Sequence, residues 1–143
     1  MIYALDTSVL LDILIEDPTW LRASRDLLES LAPLAEFIIC PEVYAELAPN
    51  APNTRSLDVM LDDFPIEVVP TDVEVARLAG PMWSQYRRAG GPRSRIVTDF
   101  IVAAHALVHA EALITRDDGF FRQYFAGLQV VTPAPLTDNS AGQ

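Results

Sequence analysis

Ile2-Tyr3-Ala4-Leu5-Asp6-Thr7-Ser8-Val9-Leu10-Leu11-Asp12-Ile13-Leu14-Ile15 begins as a short apolar run, stops on an acid and two hydroxyl residues, and resumes as a second apolar run. Four apolar residues bounded by capping residues read as a buried strand, and the longer run after Asp6 reads as the helix it feeds. The same strand-then-helix pattern recurs at Phe37 to Cys40, where Pro41 suits a first helical turn and the helix runs through Leu47.

Further along, Pro18 opens a helix limited by Pro33, and Ala48 to Asn53 is a loop. Thr54 to Asp63 is a short helix and Ile66 to Val69 a third strand. Asp72 caps a long helix to about Arg88, with Gly80 and Pro81 as a kink or break inside it. Gly90-Gly91-Pro92 ends that helix. Thr98 to about Ala110 is a strongly apolar helix, Ala112 to Thr115 a fourth strand, Gly119 to Phe125 a helical turn and Leu128 to Val131 a fifth strand. Alternation of this kind predicts an α/β fold: a three-layer α/β/α sandwich around a mostly parallel sheet of about five strands. Residues 1–132 form the expected domain, and 133–143, small and polar, an expected disordered tail.

Composition narrows the chemistry. The 143 residues carry a formal net charge of −10, and all ten basic residues are arginines. The absence of lysine excludes mechanisms that need one. An acidic chain is a poor general binder of nucleic acid, because phosphate affinity comes from Lys and Arg, unless bound cations reverse the sign locally. Cys40 is the single cysteine, so no internal disulfide forms and a reducing, cytoplasmic setting is expected. Asp12 interrupts the apolar run Val9 to Ile15, which argues against a signal peptide or a membrane span.

Parallel sheets place their sites beyond the carboxyl ends of the strands. Asp6 follows the first strand, Asp117 the fourth, and Glu46 lies on the helix that leaves the second. Asp99 lies in the first turn of the apolar helix leading to the fourth strand. Each has a plain structural reading: a helix cap for Asp6, a dipole partner for Asp99, a turn residue for Asp117, a solvated face shared with Glu42 for Glu46. Together they are harder to explain so. Two carboxylates about 4 to 5 Å apart repel by roughly 3 to 4 kcal/mol at an effective dielectric near 20, and a hard divalent cation offsets this. Oxygen-only ligands suit Mg²⁺ or Mn²⁺ better than zinc.

Leu5-Asp6-Thr7-Ser8, Cys40-Pro41-Glu42-Val43-Tyr44-Ala45-Glu46-Leu47, Thr98-Asp99-Phe100-Ile101-Val102-Ala103-Ala104-His105-Ala106 and Ile114-Thr115-Arg116-Asp117 resemble, in order, the four acidic motifs of PIN-domain nucleases. The resemblance covers about residues 1–132, and among PIN proteins a single bare domain is most similar to the VapC toxins of toxin-antitoxin pairs. It implies that Asp6, Glu46, Asp99 and Asp117 hold one or two Mg²⁺ or Mn²⁺ ions, with Thr7, Ser8 and Thr115 as polar helpers. It also implies endonucleolytic cleavage of RNA, a homodimer with contacts around Trp20 or Trp83, and an antitoxin that brings a basic C-terminal segment. Glu42 and Asp118 are extra acids beside two of the motifs.

Arg87, Arg88, Arg93 and Arg95 flank Gly90-Gly91-Pro92 and read either as a solvated helix end or as phosphate grips, Arg93 and Arg95 foremost. Arg116 and Arg122 are lesser candidates. His105 and His109 have the i, i+4 spacing of a zinc pair, but no glutamate follows His105. A receiver domain needs a lysine, and haloacid-dehalogenase phosphatases resemble Asp-x-Asp where Ser8 stands here. The remaining alternative is a PIN fold that binds protein or RNA without cleaving it.

Overall fold

The structure is a computed structural model describing residues 1–92 and 96–135. Arg93, Arg95 and most of the expected tail lie outside the described residues. Five strands, β1 (Ile2–Leu5), β2 (Glu36–Ile39), β3 (Ile66–Val68), β4 (Ala112–Ile114) and β5 (Val130–Val131), form one sheet in the order β3-β2-β1-β4-β5. Every pairing is parallel. The helices are α1 (Thr7–Leu14), α2 (Leu21–Leu31), α3 (Pro41–Leu47), α4 (Thr54–Asp63), α5 (Val73–Arg88), α6 (Val97–His109) and α7 (Asp118–Tyr124).

The sheet order explains the layers. From β1 the chain steps outward to β2 and β3, then returns across to β4 and β5 on the other side of β1. Right-handed crossovers in opposite directions put α1 to α4 on one face and α5 to α7 on the other. The order reverses between β1 and β4, and such a switch point opens a crevice at the carboxyl ends of the strands. Strands covered on both faces must be apolar throughout. Accordingly Tyr3, Ala4, Leu5, Phe37, Ile38, Ile39, Ala112, Leu113 and Ile114 are all buried.

Several boundaries differ from expectation for local reasons. α2 begins at Leu21 rather than Pro18, because Asp17 Oδ1 accepts from the Thr19 and Trp20 N–H groups and holds a turn there. The fifth strand is only two residues long. α5 runs unbroken through Gly80 and Pro81. A proline removes one N–H bond, here to the Arg77 carbonyl, and packing of Val75, Ala79 and Tyr86 in the core outweighs that loss.

The end of α5 is closely specified. The Gly91 N–H donates to the Tyr86 carbonyl and that of Gly90 to the Arg87 carbonyl, with Gly90 at φ +80°, which is a Schellman cap. Tyr86 is wedged among Phe100, Phe120 and Tyr124 at centroid distances of 5.3, 6.1 and 5.0 Å, and its hydroxyl donates to the Pro92 carbonyl. A β-carbon on Gly91 would lie 2.4 Å from that ring. Gly91→Ala is therefore expected to cost about 1–3 kcal/mol as overpacking against a ring that cannot move aside. The denaturation midpoint checks this, and a midpoint equal to that of the unsubstituted chain would show that the ring yields.

Candidate functional site

Asp6 is the N-cap of α1. Its Oδ1 accepts from the Thr7 N–H at 2.8 Å, and its Oδ2 accepts from Thr115 Oγ1 at 2.7 Å and Ser8 Oγ at 3.3 Å. The Asp6 N–H donates to the Ile114 carbonyl, continuing the β1–β4 pairing one residue past the strand. The capping expectation is thus correct, but capping uses one of the three bonds. Of the other two, the bond from Ser8 stays within α1 and the one from Thr115 comes from the β4 end, across the switch point.

Burial raises the Asp6 pKa above the usual carboxylate range, the Asp99 charge adds to the rise, and the bonds from Thr115, Thr7 and Ser8 oppose it. Glu46 is raised in the same direction, first by desolvation of its carboxyl group and then by the charges of Asp6 and Asp99. The cap of α1 and an acid of α3 are thus both raised by neighbouring negative charge, and Asp99 at the start of α6 contributes to each. Asp99 Oδ2 also accepts from the Ile96 N–H at 3.1 Å, the carboxylate half of a capping box that starts α6.

Asp117 is attached through the backbone. Its N–H donates to Thr115 Oγ1 at 3.0 Å, and that hydroxyl donates to Asp6. Thr115, fully buried, is the bridge between the first and fourth motifs. Ser8 and Thr115, expected as polar helpers, both bond the Asp6 carboxylate. Thr7 differs, since its Oγ1 is buried without a hydrogen-bond partner, although it lies close enough to Glu46 to favour that carboxylate's charge.

Among the described residues, no three His, Cys, Asp or Glu side chains are gathered into a metal-holding cluster as they stand. The donors nevertheless fit a hard cation. They are carboxylates with raised affinity for a positive charge, and beside them is an orphaned buried hydroxyl that can act as a ligand or accept a bond from bound water. Thiol and imidazole ligands are elsewhere. Burial pushes the Cys40 thiol up to about 12.

Other candidates take structural roles. Glu42 does not share the Glu46 surface; it is half-buried and its Oε2 accepts from Thr71 Oγ1 at 2.6 Å. Asp118 pairs with Arg122 one turn later at 3.4 Å. His105 Nε2 is 3.0 Å from the Val69 carbonyl and His109 Nε2 3.0 Å from Asp72 Oδ2, so one ring ties α6 to the end of β3 and the other to the cap of α5 instead of sharing a zinc ion. Burial lowers the His105 pKa, which keeps the ring neutral as a core group.

The arginines divide. Arg122 Nη2 donates to the Val130 carbonyl and secures β5. Arg87 lies over the Trp83 ring at 4.9 Å and Arg88 Nη2 donates to Ser84 Oγ. Both line a cleft that also includes Ile96, the residue whose N–H Asp99 holds. Arg116 is not an open phosphate grip: its Nη2 is 2.8 Å from Asp12 Oδ1, and the Asp12 side chain is only 1% exposed. Sequence reasoning missed that buried pair. Its signal was an aspartate inside an apolar helical run.

Among the described residues, no helix is long and apolar enough to cross a membrane. No curated protein sequence matches the chain. In fold it is similar to VapBC2 from Rickettsia felis bound to a promoter DNA fragment (TM-score 0.73, 21% identity, 94% of this chain and 100% of the other). It is likewise similar to VapBC-1 from nontypeable Haemophilus influenzae (0.72, 23%, 92% and 98%). A third is FitAcB from Neisseria gonorrhoeae (0.66, 25%, 91% and 96%). Residues 3–126 match the PIN domain. With that match over most of its length, the chain belongs to the PIN-domain family.

Proposed function

We propose that the chain is a metal-dependent endoribonuclease and the toxin of a VapBC-type toxin-antitoxin pair. What carries the reading is the gathering of acids at the switch point of a PIN fold, where the charge of Asp99 raises Asp6 and the charges of Asp6 and Asp99 raise Glu46. Asp6, Glu46 and Asp99 would hold Mg²⁺ or Mn²⁺, with Asp117 reaching the same site from beside Thr115. The chemistry supplied when one or two ions are bound is activation of water near neutral pH for attack on a phosphodiester.

The residues supply the rest. Thr115 and Ser8 aim the Asp6 carboxylate, and Thr7 leaves a hydroxyl for a ligand or its water. Arg93 and Arg95 are proposed as contacts to substrate phosphates, with Arg87 and Arg88 continuing a basic path from the cleft toward Asp99. Such contacts position a substrate and carry no sequence information. The partners are RNA, an antitoxin with a basic C-terminal segment, which suits the acidic pocket, and a second copy of the chain.

The test is incubation of the purified chain with structured RNA in Mg²⁺, in Mn²⁺ and with EDTA. Cuts at internal positions that depend on the cation are expected, and EDTA should abolish them. Binding of RNA or a protein partner without cation-dependent cuts would favour the non-cleaving PIN module instead.

A further inference from the structure

We propose that Arg116 is a positioning residue that holds the turn between β4 and α7, and with it Thr115 and Asp117, in register with Asp6. The inference rests on the nuclease reading above. Its geometry is a two-point attachment of that turn to α1. At one end of α1, Thr115 Oγ1 donates to Asp6 at 2.7 Å, and the Arg116 N–H donates to Ser8 Oγ at 3.3 Å, itself bonded to Asp6. Near the other end, the Arg116 guanidinium bonds Asp12 at 2.8 Å.

Asp6 and Asp12 are six residues apart, about 9 Å along a helix. One anchor would fix the position of the turn and leave it free to rotate. Two anchors separated by this distance fix its orientation as well. The second anchor is itself held: Ser24 Oγ on α2 donates to Asp12 Oδ2 at 2.7 Å, and the guanidinium lies 4.8 Å over the Trp20 ring.

Energetics agree with this role. A buried ion pair adds little net stability compared with an apolar replacement, but it is costly to break from one side and it selects one geometry. Arg116 Nε is buried without a partner, so the bond to Asp12 leaves the guanidinium's own hydrogen bonding incomplete. What it does secure is the adjacent Asp117 N–H, bonded to Thr115 Oγ1 at 3.0 Å. A displacement of about 1 Å at a reacting centre can cost 10²-fold in rate.

The experiment compares Arg116→Met, which leaves Asp12 charged and unpaired, with the double variant Asp12→Asn/Arg116→Met. The double variant removes both charges and keeps an acceptor for Ser24. It should recover the melting temperature lost in the single variant. Its kcat on RNA should still fall about 10²-fold, with KM within about twofold, as misplacement rather than weak binding requires. Exchange of the backbone amides at positions 116 and 117 should accelerate at least about tenfold, while the β1 amides stay protected. If kcat and both exchange rates return together with stability, the pair is only structural and the proposal is overturned. A wild-type chain that cleaves no RNA would instead sink the nuclease reading, and the exchange arm alone then decides the positioning role.

Discussion

Asp99→Asn is expected to fold normally and to lose at least about 10²-fold of RNA cleavage, roughly 2.7 kcal/mol of transition-state stabilisation. The substitution isolates charge from structure. Asn keeps an oxygen that can accept from the Ile96 N–H, so the start of α6 is preserved. What it removes is one of three negative charges acting across the crevice, and with it the attraction for a divalent cation. The assay is cleavage of a structured RNA at saturating Mn²⁺, beside circular dichroism to confirm the fold. In bacteria the same difference should appear as growth: arrest with the unsubstituted chain, relief when the antitoxin is co-expressed, and no arrest with Asp99→Asn. Undiminished cleavage by the pure variant would remove Asp99 from the site.

Asp6→Asn should lose cleavage as well and, in the absence of metal, gain stability at neutral pH. Burial and the Asp99 charge raise the folded-state pKa of Asp6, so the native protein binds a proton more tightly than the unfolded chain. The stability this gives is fully present below the unfolded value of about 3.9 and is lost as pH rises through the raised native value. Glu46 contributes with the same sign. In metal-free buffer the unsubstituted chain should therefore lose this stability as pH rises through the raised native value, and Asp6→Asn should flatten that slope. At neutral pH the variant should gain about 0.5–2 kcal/mol, which is a few degrees in melting temperature. Mn²⁺ should reverse the ranking, because a ligand stabilises only a protein that binds it. A neutral variant that melts below the unsubstituted chain at neutral pH without metal would show that the hydrogen bonds to Asp6 outweigh its repulsion.

Much of this organisation was legible because it is written in local patterns. Asp72 as the cap of α5, Pro41 at the start of α3 and the bounds of α4 follow from capping and proline chemistry, and the structure places them as expected. Asp6 could be placed at the crevice from sequence because a parallel sheet gathers what lies at its strand ends. Tertiary contacts were harder. Nothing near Glu42 in sequence indicates Thr71, twenty-nine residues away, and the spacing of His105 and His109 cannot show that each ring has a partner on α5 or the segment before it. Asp12 was visible as an interruption in an apolar run, but its meaning depended on Arg116, more than a hundred residues later. Pro81 misled because propensity is local while the packing that carries the helix through it is not.

The outer strands have a consequence for how this chain can associate. β3 and β5 are three and two residues long, and Arg122 already occupies the Val130 carbonyl. Exposed strand margins are templates on which another chain can add a strand and begin aggregation, and short margins with charged residues beside them prevent it. Glu67, an exposed acid in the middle of β3, puts a charge on that strand. Growth of the sheet is thereby blocked on both sides. A protein that joins this chain is therefore expected to dock on its helices rather than to extend its sheet.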